Sequence, residues 1–292
     1  MRCRFADVIQ YSFCSMIQSI IRQRPTRLFL ILGGFFITNT LLAEIIGVKI
    51  FSFEKSLGFQ PLSIQLLGND LSLNLTAGVL LWPVVFIMTD IINEYYGPKG
   101  VKFLSFLTAG LIAFAFLVFY GAMSLAPADF FVTSKQGSGV PNMERAYRSV
   151  LGQGSNIIIG SLVAFILGQL IDVFVFHRIK KQTGEKWVWL RATGSTLVSQ
   201  FIDSFVVLFI AFYVGSRVNN SDGDFVWPFS LFIAVGLVNY MYKFCVALLL
   251  TPVIYFAHHT IDKYLGSEQA AKMKRAAMGQ EGEPHTNIPA AG

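Results

Sequence analysis

Six stretches of the chain, 28–47, 75–96, 101–125, 155–177, 192–214 and 229–257, are each apolar over roughly the 20 residues that cross a bilayer. No other feature constrains the fold so strongly. In hydrocarbon every backbone N–H and C=O must be paired within the structure, which leaves helices or closed barrels. The runs are continuous rather than alternating, so they are read as helices. The expected architecture is an all-α, polytopic membrane protein with six transmembrane helices in one bundle. Composition agrees: 14% of the 292 residues are charged and 54% are hydrophobic, against about 25% charged in soluble domains. The mean hydropathy is +0.57.

Charge sets the expected direction. Sixteen Lys and Arg fall in the N-terminal segment, the 97–102 turn, the 178–191 loop and the tail; six fall in 48–74, 126–154 and 216–228, and Lys243 completes the 23. The positive-inside rule then places both termini in the cytoplasm of an inner (plasma) membrane protein. The net charge of +6 is thereby assigned to topology and not to nucleic acid. Residues 1–26 space Phe5, Val8, Ile9, Phe13, Met16, Ile17, Ile20 and Ile21 near helical periodicity before Arg22, Arg24 and Pro25. That pattern predicts an amphipathic helix on the inner face. Residues 62–75 alternate about Gly68-Asn69-Asp70, which predicts a small external hairpin. The domain reading is 1–26 interfacial segment, 27–260 six-helix transmembrane bundle and 261–292 polar cytoplasmic tail, disordered after its first turns. The three cysteines, Cys3, Cys14 and Cys245, are read as free thiols.

Within or near these apolar runs lie Glu44, Asp90, Glu94, Asp172, Asp203 and Lys243. A charge at mid-membrane costs roughly 2.5–3.5 kcal/mol on insertion scales. Even discounted for Glu44, Glu94 and Asp172, which lie nearer span ends, the sum is comparable to the roughly 5–15 kcal/mol stability of an ordinary domain. They must face each other, water or a ligand. Their spacing supports this. Asp90, Asn93, Glu94 and Gly97 share one helix face, as do Gln169 and Asp172, then Thr196, Ser199, Gln200 and Asp203, then Asn239 and Lys243. Four polar stripes turned inward make a polar cavity. Five carboxylates against one buried lysine favour a cationic or donor-rich ligand, protonated carboxyls or a coupling cation. "GQLIDVFV" at 168–175 also echoes "SQFIDSFV" at 199–206, so related ligands could come from two sides.

The ordered motifs "TDIINEYYG" (89–97), "GQLIDVFVFHRIKK" (168–181), "WLRATGSTLVSQFIDS" (189–204), "NYMYK" (239–243) and "TPVIY" (251–255) resemble the queuosine precursor transporter family, also called the vitamin uptake transporter family. The resemblance covers about 75–257. It implies a six-helix inner-membrane carrier importing 7-deazaguanine precursors of queuosine, preQ0- or preQ1-like bases. It carries Asp90, Glu94, Gln169, Asp172, Arg191, Ser195, Thr196, Gln200, Asp203, Asn239 and Lys243 as motif positions. Of these, Asp90, Glu94, Gln169, Asp172, Ser195, Thr196, Gln200, Asp203, Asn239 and Lys243 are the expected substrate-binding residues. This chain departs from the pattern at Asn239, where some members have an acid, and at Asn156, where many have an arginine.

The chemistry fits such a base. A carboxylate accepts side by side from a ring N–H and an exocyclic amine. The carbonyl needs a donor, and the flat face needs an aromatic ring. Guanine and other purines offer the same contacts. The expected partners are therefore a small nucleobase-like molecule and the lipid bilayer, with a homodimer left open, no nucleic acid, and neither cofactor nor metal. Two other functions are weighed. An intramembrane hydrolase could draw on Ser195, Ser199, His177, His258 and His259, but neither Gly-x-Ser-x-Gly nor His-Glu-x-x-His occurs. The substrate-binding subunit of an ATP-driven importer would borrow its ATPase, since no P-loop occurs.

Overall fold

In a computed structural model, the residues described are 22–152, 155–183, 187–218 and 226–278. The segment expected to form the interfacial helix lies almost wholly outside them. Among the described residues, five helices are long and apolar enough to cross a membrane. We label the main helices α1 (Arg24–Ile46), α2 (Trp82–Ser124), α3 (Met143–Leu151), α4 (Ser155–Thr183), α5 (Val188–Leu208), α6 (Phe229–Leu265) and α7 (Ser267–Ala277). A π-helical stretch, Phe209–Val214, continues α5.

Two expected runs, 75–96 and 101–125, are joined in α2. A straight helix of its 43 residues would measure about 65 Å, twice the ~30 Å hydrocarbon core. It is not straight. Gly97 has φ 70 and ψ −175, a conformation essentially confined to glycine. The break separates two limbs, Trp82–Tyr96 and Pro98–Ser124. Pro98 opens the second limb, where a missing N–H costs nothing. A Cβ on Gly97 would stand 3.1 Å from the Ala277 carbonyl of α7, so glycine also permits close packing there. The first limb starts at Trp82 and not at residue 75, because Asn74–Thr76 forms a strand and Ala77–Leu80 a 3-10 turn.

That strand, β4, pairs antiparallel with β1 (Ile50–Ser52), and β2 (Ile64–Leu66) pairs with β3 (Asn69–Leu71). The tight turn uses Leu67 and Gly68, both at positive φ. Glu54 pins this layer. Its carboxylate accepts from the Leu73 N–H at 2.7 Å and the Ser52 hydroxyl at 2.9 Å. Phe53 meets Tyr242 of α6 edge-on at 5.8 Å, which ties the strand layer to the bundle.

The helices extend further than hydropathy indicated. α4 runs on to Thr183, and α5 begins at Val188 with Arg191 in its first turn. The core joins α1, α2, α4, α5 and α6 through residues such as Phe36, Ile91, Phe165, Phe176 and Ile254. The polar tail's first turns form α7, whose Lys274 pairs with Asp262 of α6 at 2.9 Å; residues 279–292 lie outside the described set. Cys245 is a free thiol.

Candidate functional site

The first limb of α2, α5 and α6 enclose a cavity lined by Asp90, Thr193, Thr196, Gln200 and Lys243, with Trp82, Phe86 and Tyr242 among its walls. The 3.6-residue repeat puts Trp82, Phe86 and Asp90 on one face of α2. Asp90 is 1% exposed, and its Oδ1 has no hydrogen-bond partner among the described residues, nor does Gln200 Oε1. Buried acceptors of this kind are uncommon and costly to leave unpaired. They face a cavity that also offers two threonine hydroxyls and an ammonium.

Val79, Trp82 and Lys243 line a second cavity too, of about 410 Å³, toward the hairpin end. Glu44, Asp203 and Asn239 share it. Lys243 Nζ binds Asp203 Oδ2 at 2.6 Å, an ion pair set between the two spaces. Ser161 donates to Glu44, and Asn239 donates to the Val235 carbonyl within its own helix at 3.1 Å.

Four expected site residues, Gln169, Asp172, Ser195 and Glu94, line neither space. Gln169 accepts from Thr89 at 3.2 Å and Ser105 at 3.5 Å. Asp172 accepts from Ser199 at 3.3 Å. Ser195 donates to the Ala192 carbonyl at 3.2 Å. All are buried. Gln169 and Asp172 tie α2, α4 and α5 together behind the cavity. The two Gln-x-x-Asp motifs are therefore not equivalent: Gln169 and Asp172 lie behind the site, while Gln200 and Asp203 face the two cavities.

Glu94 is also apart from the cavities. Its carboxylate binds Lys180 at 3.0 Å and Arg191 at 2.8 Å, and these partners are 1% and 2% exposed. Asn93 meets His177 at 2.8 Å, and Tyr95 donates to Asp262 at 2.7 Å. These contacts close the bundle at the Gly97 end. They correct the expected charge balance, because Lys180 and Arg191 are buried cations in addition to the half-buried Lys243. Hydropathy places Lys180 in a 178–191 loop; the longer α4 turns it inward. Sequence reasoning also missed Thr193 and the aromatic walls. The i, i+4, i+8 register of Trp82, Phe86 and Asp90 signals two of those walls; nothing in the sequence signals Thr193 or Tyr242.

Ser195, His177 and His258 form no triad, as His177 sits at Asn93 and His258 at Tyr95. Among the described residues no cluster of His, Cys, Asp and Glu could hold a metal ion.

Long apolar helices packed around buried acids define a multi-pass helical membrane protein. Residues 76–257 match the family described as "Putative vitamin uptake transporter", and the chain belongs to that family. It is a transporter and not an enzyme. It is similar to the "Probable queuosine precursor transporter" of Bacillus subtilis, 28% identical over 200 residues, covering 68% of this chain and 76% of the relative. A protein of the same description from Haemophilus influenzae is 27% identical over 194 residues, 63% and 68% of the two chains. The "Queuosine precursor transporter" of Escherichia coli is 29% identical over 150 residues, 51% and 61%. No solved structure matches.

Proposed function

We propose that this protein imports a 7-deazaguanine queuosine precursor, a preQ0- or preQ1-like base, and that the base binds against Asp90. The observation that carries this reading is the unpartnered Asp90 carboxylate oxygen in a cavity with aromatic walls. Asp90 would accept from the ring N–H and the exocyclic amine. A threonine hydroxyl or Lys243 would donate to the carbonyl, and Trp82, Phe86 or Tyr242 would stack on the ring. The names of three relatives support the substrate.

The two limbs of α2 act as separate crossings on this reading, giving six spans and an external hairpin, with both termini cytoplasmic on the charge bias. The base then arrives through the 410 Å³ cavity past the Asp203–Lys243 pair. The Asp90 cavity itself has only about 40 Å³, room for roughly three waters, whereas ligand pockets run to about 300 Å³ or more. Binding therefore moves α2, α5 and α6 apart at Trp82. Glu44, Asp203 and Asn239 line the approach. Gln169, Asp172, Ser195 and Glu94 hold the helices that carry the site.

The test is binding of a deazaguanine to purified wild type and Asp90→Asn, beside a melting curve for each. An amide keeps the shape and lowers the cost of burial, so the variant should melt no lower than wild type. It cannot accept two hydrogen bonds side by side, so affinity should fall at least tenfold. Wild-type affinity in Asp90→Asn would return this acid to a purely structural role. In cells that cannot make the precursor and lack their own importer, the gene should restore queuosine in tRNA. Restoration only with an added ATPase would make the chain an importer subunit instead.

A further inference from the structure

At the Gly97 end, outside the Glu94 ion cluster, a cavity of about 610 Å³ opens between the second limb of α2, α4 and α7. Four cations line it: Lys99 and Lys102 from α2, and Arg178 and Lys181 from α4. Among the described residues no acidic side chain lines it. The other buried or half-buried cations at this end, Lys180, Arg191 and Lys274, each hold a carboxylate. These four make no ion pair among the described residues. Four like charges around one space repel each other, and an anion would relieve that repulsion.

The lower wall of the cavity is apolar. Leu170, Val173 and Phe174 line it, and Phe174 is 71% exposed on a membrane-spanning helix. Leu170, Phe174 and Arg178 follow one another at four-residue steps, so a single face of α4 runs from apolar to basic. A soluble anion would use only the basic rim. A molecule carrying both a phosphate and an acyl chain would use the whole cavity.

We propose that this cavity is a binding site for an acidic phospholipid, its phosphate among Lys99, Lys102, Arg178 and Lys181 and one acyl chain along Leu170 and Phe174. Basic pockets between spanning helices at headgroup depth bind such lipids by this combination of charge and apolar contact. The reading rests on the membrane placement of α4 and not on the identity of the transported base.

The experiment is native mass spectrometry of the full chain in detergent, titrated with phosphatidylglycerol, cardiolipin and phosphatidylcholine. The acidic lipids should be retained one or two per chain where phosphatidylcholine is not. Each cation is worth about fivefold in affinity, so Arg178→Gln/Lys181→Gln should lose roughly thirtyfold, and Arg178→Lys/Lys181→Arg should keep wild-type retention. Melting in phosphatidylcholine should be unchanged in the double variant, while the rise in melting temperature given by phosphatidylglycerol should disappear. If that variant does not fold, Lys99→Gln and Lys102→Gln on the facing helix carry the same prediction at about fivefold each. Equal retention of phosphatidylcholine would overturn the proposal. So would retention that survives neutralisation, or displacement of the lipid by equimolar glycerol phosphate, which would assign the cavity to a soluble phosphate.

Discussion

Replacing Glu94 by glutamine takes one negative charge from a contact with two cations. Lys180 and Arg191 are 1% and 2% exposed and bind the two carboxylate oxygens at 3.0 and 2.8 Å. Glutamine keeps the volume, so packing is preserved and only electrostatics and hydrogen bonding change. Removing one partner of a buried pair costs about 3–5 kcal/mol, because the other charge is stranded. Here two charges lose their counter-ion, which points to the upper end, about 5 kcal/mol. At about 2–3 °C per kcal/mol for a chain of this size, melting should drop by about 10 °C or more. The four tryptophans report this melt by intrinsic fluorescence in detergent. The double variant Glu94→Gln/Lys180→Met should recover part of the loss, since one stranded cation is gone, and the cycle should show coupling of about 1–3 kcal/mol. Asp90→Asn is the control and should show no drop. A Glu94→Gln protein that melts within about 2 °C of wild type yet loses substrate binding would refute the reasoning. Glu94 would then act on the substrate instead of holding α2, α4 and α5 together.

Gly97→Ala should destabilise by about 1–3 kcal/mol, because alanine is strained at this backbone conformation and its Cβ meets α7; faster proteolysis of residues 267–278 would report the loosened helix, and an unchanged melt and cleavage rate would dismiss the contact. Glu54, outside the spans, gives a pH prediction. Burial raises its carboxyl pKa, but hydrogen bonds from the backbone N–H groups of Leu73 and Glu54 itself and from the Ser52 hydroxyl outweigh this and hold it below the usual value. Its stabilisation is therefore full above the unfolded value of about 4.3 and is lost as pH falls through the lower folded value. Glu54→Gln should melt lower than wild type at pH 7, and the gap should close as pH falls below the unfolded value of about 4.3 and through the lower folded one; a gap independent of pH would show that charge is not the cause.

Much of this protein was legible without coordinates, and the reason is local. A crossing segment is decided by some twenty consecutive residues, so the apolar runs found the helices directly. The cost of burying charge likewise marked Asp90, Asp203 and Lys243 as residues needing partners. The ordered motifs reached the family. Helix ends were less legible, because Lys180 and Arg191 read as loop charges by hydropathy alone, whereas α4 and α5 continue through them and turn both cations toward Glu94. What a sequence stripe cannot give is the rotation and axial offset of one helix against the next. Those depend on side chains far apart in the chain, such as Tyr95 with Asp262 and Phe53 with Tyr242. They decide that Asp203 takes Lys243, that Glu94 takes Lys180 and Arg191, and that Asp90 alone of the three faces the aromatic cavity with an oxygen left unpaired.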